Sequence, residues 1–327
     1  LMADHLSYEF VDPQRFMVFA GNNVDYVKSS YLLHQIINQD SRIVVPGFYG
    51  ADENGHVHLM PRGGSDISGA ILANLLDADL YENWTDVSGI KMADPRIVEG
   101  SQTIERLTYA EMQELSYMGI NAFQEEAVQP AKEKQIPIEI LNTNHPEEGG
   151  TLIADKVLES QRLITGVAGK KDYVVVTIKK FQLSKRLDLI ASAFSVLSRF
   201  HLTLNYVPSG NDSFSFLFRQ AEVTNKLASI VSALKNEVQV DEVDVQQDMA
   251  LVAAVSHELS KRPAIAGKIM EFLDQSQIKV HFVIQEGSDI KVVFGVANSD
   301  YEATIKKIYE NSVCVHSKKF SRTRAIA

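Results

Sequence analysis

The sequence is poor in cysteine, and Cys314 is the only one among its 327 residues. One thiol excludes a disulfide within these residues and a metal cage built from several cysteines. It also fits a reducing compartment, so we expect the protein to be cytoplasmic. No apolar run approaches the ~18 residues of a membrane span, and no basic segment followed by an apolar one marks a signal peptide.

Positive charge is also scarce. Lys and Arg number 32 against 42 Asp and Glu, which gives a formal net charge of −10. This balance argues against a protein that wraps nucleic acid or lies on an anionic membrane. A negative net charge does not prevent the protein from binding a single anionic ligand, because a nearby Arg or Lys affects such binding more than the net charge does. Hydrophobic residues make up 45% of the sequence, enough for substantial cores, and 327 residues predict two or three domains.

The most informative polar cluster is Arg62–Asp66, with the sequence RGGSD. Apolar residues spaced three and four apart follow it from Ile67 to Leu76, which predicts an amphipathic helix. Two glycines before a helix let the backbone approach an anion, and the positive end of the helix attracts the same charge. By itself, the glycine pair indicates a simple tight turn equally well.

A second polar cluster follows the strand-like run Leu80–Trp84. It contains Thr85-Asp86, a turn at Ser88-Gly89, and then Asp94-Pro95-Arg96. Strand, polar turn and helix alternate here, which predicts an α/β layer with both clusters at the ends of its elements. Nucleotides and small acids bind at such ends.

The combination of RGGSD, ENWTDVSG and MADPRIV at these separations resembles the amino-acid kinase family and, within it, the aspartate kinases. LTYAEMQELSYMGINAFQEEAVQPA, IPIEILNTN and GGTLI extend the resemblance, which covers essentially all 327 residues. It implies a three-layer α/β/α kinase domain over residues 1–153. The implied reaction moves the γ-phosphoryl group of ATP, with Mg²⁺, to the side-chain carboxylate of L-aspartate. This reaction is the first step towards lysine, threonine and methionine.

The same resemblance implies the site residues. Those facing L-aspartate are Arg62, Gly63, Gly64, Ser65 and Asp66, and those facing ATP are Thr85, Asp86, Lys91, Arg96, Asn121 and Ala122. Lys91 stands where relatives carry an aromatic residue, so it could pair with phosphate or be solvated. The segment GINAFQ, with Asn121, departs from the family pattern Gly-x-Lys-Val-Leu-His, which leaves the contacts at 121 and 122 open.

The first residues, LMADHLSYEF, are typical of the middle of a helix, because no capping residue precedes them. Aspartate kinases begin with a strand and a Lys-Phe-Gly-Gly loop and later carry a Gly-Glu pair, and neither pattern is present. We therefore expect a kinase domain that is incomplete at its N-terminus, so that these residues alone could be inactive. The alternative is a non-catalytic effector-binding subunit or fragment of the same enzyme. A kinase of this fold acting on glutamate or carbamate is disfavoured, because those relatives usually lack the regulatory half described next.

From Ile164 onward, apolar strands flank helices of about 12 residues, which is near the usual helix length in globular proteins. The order of these elements predicts the unit βαββαβ twice. This unit is the ferredoxin-like fold, here used as a repeat. Both copies resemble ACT domains. We place a linker helix and strand at 154–171, the first ACT unit at 172–247 and the second at 248–327. The second copy lacks a clear final strand, and Ile164–Val167 is available to supply it, as expected where one ACT unit is inserted in the other.

The effector-binding residues are expected in the segment HLTLNYVPSGNDSFSFLF. They are Asn205, Ser209, Asn211 and Asp212, where ACT pairs bind an amino acid, here L-lysine or alternatively threonine. An ordinary hairpin turn is the other interpretation. Ile284 stands where many relatives carry Asn, so the second copy could serve only for packing. ACT pairing implies a homodimer or tetramer.

A metal site in the protein itself is not expected. Only His56 and His58 are close enough in sequence to form a ligand pair, and no Cys or helical His nearby would complete it. Exposed histidines on one strand are the expected interpretation.

Overall fold

A computed structural model describes residues 1–38, 40–120, 125–156, 162–262, 264–285 and 290–320. The chain divides into two compact units. Unit 1 comprises Leu1–Met92 and Ser101–Ser160, and unit 2 comprises Ala93–Gly100 and Gln161–Ala327. The domain boundaries at 153, 171 and 247 stay predictions, and most of the helix expected over 155–161 lies outside the described residues.

Unit 1 mixes short strands with five helices. The helices are α1 (Met2–Leu6), α2 (Tyr26–Ile36), α3 (Gly64–Leu75), α4 (Tyr109–Tyr117) and α5 (Glu125–Glu133). The strands are β1 (Glu9–Phe10), β2 (Val18–Ala20), β3 (Asn23–Val24), β4 (Ile43–Val44), β5 (Tyr49–Asp52), β6 (Val57–Leu59), β7 (Tyr81–Thr85), β8 (Arg106–Thr108), β9 (Ile138–Asn142) and β10 (Thr151–Ala154).

Three sheets organise these strands, with the orders β1-β4, β3-β2-β5-β6 and β7-β9-β10-β8. β7 and β9 run parallel, with Tyr81 opposite Ile138 and Thr85 opposite Asn142. The two strands therefore end at the same edge of their sheet. This edge is where an α/β layer places its polar loops.

The core of unit 1 packs α2 and α3 against the small sheet that contains β2. Phe16, Met17, Leu33 and Leu75 are at most 1% exposed there. The sequence predicts one helix over residues 105–119, with Leu107, Met112, Leu115 and Met118 toward a core. This prediction is wrong, because Arg106–Thr108 form β8 and α4 starts only after Thr108. Thr108 and Glu111 form a reciprocal capping box, which fixes the start of that helix.

Unit 2 is built on one antiparallel sheet of five strands in the order β12-β11-β13-β15-β14. The strands are β11 (Gly166–Lys179), β12 (Ser213–Arg219), β13 (Glu242–Val255), β14 (Phe282–Ile284) and β15 (Lys291–Ala297). The helices are α6 (Leu187–Ser198), α7 (Gln220–Val223), α8 (Leu227–Glu237), α9 (Ala264–Gln275) and α10 (Tyr301–Phe320).

The two ferredoxin-like copies share the long strands β11 and β13. Gly166 pairs with Val255 near one end, and Thr177 pairs with Asp244 near the other. A register shift after Lys170 separates the two halves of β11. The strand expected from Ile164–Val167 for the second copy is therefore present from Gly166. Two hydrophobic cores result, one around Phe216 and one around Phe294.

Within the first ferredoxin-like copy, the sequence predicts a strand over Leu202–Val207. The structure instead has isolated bridges, Tyr206 with Leu217 and Ser209 with Phe214. Pro208 lies between the bridged residues and has no N–H to donate to a ladder, which explains the interruption. Among the described residues, no helix is both long and apolar enough to cross a membrane.

Candidate functional site

The Arg62 turn, residues 62–66, forms the start of α3. Gly63 precedes the helix with φ of +83°, in the left-handed region that glycine adopts without strain. Its carbonyl accepts the N–H groups of Asp66 at 3.0 Å and Ile67 at 3.2 Å. Helix α3 is twelve residues long, and the N–H groups of its first turn give this end a positive potential. The predicted turn before a helix is therefore present, and its role in anion binding stays a prediction.

Gly64 is required by close packing. A Cβ at this position would lie 2.8 Å from Cβ of Met60 and 3.2 Å from the ring of Phe48. Phe48 itself has φ of +83°, and its N–H donates to Oγ of Ser68 in α3 at 2.8 Å. The loop at Phe48 therefore lies against the Arg62 turn. From the sequence, a plain turn and a ligand contact were both open for this loop, and Phe48 was not among the predicted site residues.

Arg62 is available to a ligand. Its side chain is exposed, and it forms no hydrogen bond or ion pair with another described residue. Ser65 is exposed beside it. The N–H of Gly64 already donates to the Pro61 carbonyl at 3.0 Å. The free guanidinium suits a planar carboxylate, which it can bind through two parallel hydrogen bonds.

Asp66 is held in place by β7. Nδ2 of Asn83 donates to Oδ1 of Asp66 at 3.1 Å, and the hydroxyl of Tyr81 donates to the Asp66 carbonyl at 3.3 Å. Burial raises the pKa of Tyr81 to about 12, so its hydroxyl remains a donor at neutral pH. Asn83 stands two residues before Thr85. One strand thus positions the carboxylate of the Arg62 turn and carries the next polar loop.

Loops after β7 and β9 meet at the shared sheet edge. The carbonyl of Thr85 accepts the N–H of Thr143 at 2.8 Å, and Nδ2 of Asn142 donates to Oγ of Ser88 at 2.8 Å. Ser88 in turn donates to the Glu148 carboxylate. These contacts hold the edge together across almost 60 positions of sequence, which is why sequence reasoning did not include Ser88, Asn142 and Glu148.

Asp86 is exposed at this edge. Oγ1 of Thr85 donates to Oδ1 of Asp86 at 3.3 Å, which leaves the carboxylate directed to the surface. Lys91 donates from Nζ to Oγ1 of Thr103 at 2.8 Å. Its ammonium thus has a partner in unit 1 and retains capacity for a further acceptor, so both interpretations of Lys91 stay open.

Arg96 belongs to the segment Ala93–Gly100, which unit 2 incorporates. Ala93 and Val98 are buried in the core around Phe294. The Arg96 guanidinium hydrogen-bonds Asp94 at 2.6 Å and holds the pKa of that carboxyl below its usual value. Sequence reasoning placed this segment in the kinase domain and gave no sign of its burial in unit 2. The phosphate-facing role of Arg96 stays a prediction, and Asn121 and Ala122 lie outside the described residues.

The four predicted effector residues are Asn205, Ser209, Asn211 and Asp212, and all are exposed. Three of them belong to the turn before β12, while the N–H of Asn205 donates to the Leu217 carbonyl farther along that strand. Oδ1 of Asp212 accepts the N–H of Gln182 at 2.7 Å, and the carbonyl of Asn211 accepts the N–H of Ser184 at 2.9 Å. The hairpin turn and the loop after β11 therefore form one surface. Sequence reasoning missed the contribution of that second loop.

The expectation of two exposed histidines on one strand is wrong, because His56 precedes β6 and His58, within β6, is half-buried. Nδ1 of His56 lies 3.2 Å from Oδ2 of Asp52, and the side chain is exposed. The His58 ring stacks on Phe19 with ring centroids 4.2 Å apart.

The fold and this arrangement of loops define the class of protein. Residues 2–142 match the amino acid kinase family, and residues 252–311 match the ACT domain. The expected combination of a kinase domain with ferredoxin-like ACT units is confirmed.

Comparison with known proteins narrows the class. Aspartokinase 3 of Bacillus subtilis is 32% identical over 307 residues, covering 92% of this chain and 68% of that protein. The lysine-sensitive aspartokinase 3 of Escherichia coli is 26% identical, and the chain spans 60% of its length. The crystal structure of aspartate kinase from Clostridium acetobutylicum superposes with a TM-score of 0.89 at 38% identity, over 95% of this chain and 72% of that one. The chain belongs to the aspartokinase family.

Replacement of Gly64 by Ala tests the packing of the Arg62 turn. The new methyl group would meet Cβ of Met60, which cannot swing away as a flexible side-chain end can. We expect a loss of about 1–3 kcal/mol in the free energy of unfolding of unit 1, as overpacking usually costs. Urea unfolding followed by the fluorescence of Trp84, the single tryptophan, measures this loss.

The matched control is Gly149→Ala, also in unit 1, where an added Cβ has no atom within 4 Å. It should leave the unfolding midpoint unchanged. Equal midpoints for the two variants would contradict the close packing at Gly64.

Proposed function

We propose that the protein is an aspartate kinase that transfers the γ-phosphoryl group of ATP to the side-chain carboxylate of L-aspartate, giving 4-phospho-L-aspartate and ADP. The observation that carries the proposal is the hydrogen bond from Asn83 to Asp66, which links the Arg62 turn to the strand that ends at Thr85. Membership of the aspartokinase family supports the same reaction.

The Arg62 turn offers complementary groups for an amino dicarboxylic acid. In the proposed complex the Arg62 guanidinium pairs with a carboxylate of L-aspartate, and the backbone of Gly63 and Gly64, which carries no side chain, lets that carboxylate approach closely. The hydroxyl of Ser65 and the carboxylate of Asp66 hydrogen-bond the remaining amino and carboxylate groups. Because Asp66 is already oriented by Asn83, little side-chain entropy is lost when the substrate amine binds.

Phosphoryl transfer needs alignment more than covalent help. An oxygen of the substrate's ionised side-chain carboxylate attacks the γ-phosphorus while the bond from that phosphorus to the β-phosphate oxygen breaks. The carboxylate loses no proton, so the step requires no general base. The protein's task is to hold the acceptor carboxylate in line with the leaving ADP.

Thr85 and Asp86 are proposed to meet the adenosine portion of ATP, with the exposed carboxylate suited to the ribose or adenine edge. Lys91 and Arg96 are proposed to face the phosphates, and Asn121 and Ala122 to complete the nucleotide contacts. The described residues contain no group of three or more His, Cys, Asp and Glu side chains that could hold a metal ion. We therefore treat Mg²⁺ as part of the substrate MgATP, bound mainly through the phosphates.

We also propose feedback control by L-lysine bound at the surface around Asn205, Ser209, Asn211 and Asp212. The hydrogen bond from the Gln182 N–H to Asp212 joins the loop after β11 to the turn that carries Asp212, which supports a site formed by both loops. A carboxylate such as that of Asp212 also suits an ammonium group. The solved E. coli enzyme is described in complex with lysine and aspartate. A cytoplasmic homodimer or tetramer paired through ACT units completes the proposal, since effector binding at a shared interface can bias the kinase half between two states.

Replacement of Arg62 by Lys tests the substrate site. Lysine keeps the charge and loses the two-pronged geometry, so we expect L-aspartate to bind roughly 10- to 100-fold more weakly, as for the loss of a charge-assisted hydrogen bond. Calorimetric titration of the 327-residue chain with L-aspartate measures the change.

The control variant is Arg106→Lys, at an exposed arginine of β8 in the same unit. It should bind L-aspartate as the wild type does. If Arg62→Lys and Arg106→Lys bind L-aspartate equally well, Arg62 does not hold the substrate.

Replacement of Asp212 by Asn tests the effector site. The amide oxygen can still accept the N–H of Gln182, so the hydrogen bond between the loops is kept while the negative charge is lost. We expect about tenfold weaker L-lysine binding, in line with the loss of one charge-assisted interaction, measured by calorimetry.

Glu271→Gln removes an exposed carboxylate from α9 in the same unit and serves as its control. L-lysine affinity that survives in Asp212→Asn, or falls equally in both variants, would remove Asp212 from the effector site.

A further inference from the structure

Unit 1 contains a cavity of about 690 Å³ that the proposed kinase reaction does not use. Its walls come from α3, from α5, and from the small sheet with the loop that leads into α2. The volume lies in the range of pockets that bind small organic molecules. Among the described residues, those that line it include none of residues 62–66 and none of Thr85, Asp86, Lys91 and Arg96, which are the proposed substrate contacts.

One wall of the cavity is largely apolar. The His58 ring stacks face to face on Phe19 with an interplanar angle of 19°, and Phe19 is only 4% exposed. Ile67 and Ile71 of α3 also line the cavity. An aromatic or flat hydrocarbon body of a ligand would bury apolar area against these four side chains, which is the main favourable term in such pockets.

The polar groups of the cavity include Tyr26 at the start of α2 and Glu133 at the end of α5. Burial, with a smaller contribution from the charge of Glu133, raises the pKa of Tyr26 to about 12. The phenol is therefore neutral at physiological pH, and its oxygen can accept a hydrogen bond. Its hydroxyl makes no hydrogen bond to another described residue, so its hydrogen-bonding capacity is free for a ligand.

Glu133 sets the charge of the cavity. It is the one Asp, Glu, Lys or Arg among the described residues that line the space. Its carboxylate accepts a single long hydrogen bond, from Nε2 of Gln129 at 3.3 Å, and keeps further acceptor capacity. An anionic ligand would meet this carboxylate with no lining Lys or Arg to offset the repulsion. A carboxylate or phosphate compound is therefore disfavoured, and a cation is favoured.

We propose that this cavity binds a small arylalkyl amine, whose ammonium group pairs with Glu133 and hydrogen-bonds Tyr26 while its ring packs on Phe19 and His58. The site does not depend on the kinase assignment, because its walls and its charge are defined without either substrate. The cavity borders the Arg62 turn, because Pro61 lines the cavity and directly precedes Arg62. Helix α3 contributes residues to both sites.

The test is a calorimetric titration of the 327-residue chain with three probes of similar body and different charge: phenethylamine, 2-phenylethanol and 3-phenylpropanoate. We expect phenethylamine to bind at least tenfold more tightly than the carboxylate, with the alcohol between them. Equal binding of amine and carboxylate, or no binding of the amine, would overturn the proposal.

Two variants assign the binding to this cavity. Glu133→Gln keeps the size of an exposed side chain and removes its charge, so phenethylamine should bind about tenfold more weakly while 2-phenylethanol is unaffected. Glu105→Gln, at an exposed acid elsewhere in unit 1, is the control and should change neither. Amine affinity that is the same in Glu133→Gln and wild type would locate the amine elsewhere and refute the assignment.

Discussion

The parallel pairing of β7 with β9 is the constraint on which the site depends. It brings Thr85 and Asn142 to one edge, where the following loops are joined through Ser88. The same strand reaches sideways to α3 through Asn83, which orients Asp66. Two polar clusters that are about 20 residues apart in sequence thus depend on one five-residue strand. A shift of β7 by one residue would turn Asn83 away from α3 and separate the clusters.

Unit 2 also depends on the pairing of two strands. β11 and β13 each run through both ferredoxin-like copies, so the two copies share one sheet and cannot shift independently along it. Unit 2 also includes Ala93–Gly100, whose apolar residues Ala93 and Val98 are buried in the core around Phe294. This segment leaves unit 1 directly after Lys91 and Met92 and returns at Ser101. Of the predicted nucleotide-facing residues, Lys91 therefore belongs to unit 1 and Arg96 to unit 2.

Much of the site could be predicted from the sequence because its signals are local. The Arg62 turn followed by a helix is specified by two glycines and an apolar repeat, and the structure places it as expected. The strand supplied from residue 166 to the second ACT copy also followed from counting elements. In these cases the residues that form an element are neighbours in sequence, so their pattern is sufficient.

The rest depends on contacts between distant residues. Phe48 joins the site only because Gly64 leaves room for its ring, and the sequence around Phe48 is typical of any turn. Burial of Val98 in unit 2 could not be inferred either, since its partners lie more than 60 residues away. Near Tyr206, alternating apolar residues predict a strand, but only isolated bridges form. Pro208 has no N–H to donate to a ladder, so one residue is enough to interrupt the strand.

The central claim is that these residues belong to an enzyme that phosphorylates L-aspartate. Its most direct test is hydroxylamine trapping of the acyl phosphate, which converts 4-phospho-L-aspartate to aspartyl hydroxamate, with the 327-residue chain, MgATP and L-aspartate. The account predicts hydroxamate that requires both ATP and L-aspartate and is not formed from L-glutamate. The absence of hydroxamate would contradict catalysis by these residues alone. L-lysine binding in that case would support the alternative of a non-catalytic effector-binding subunit or fragment of the same enzyme.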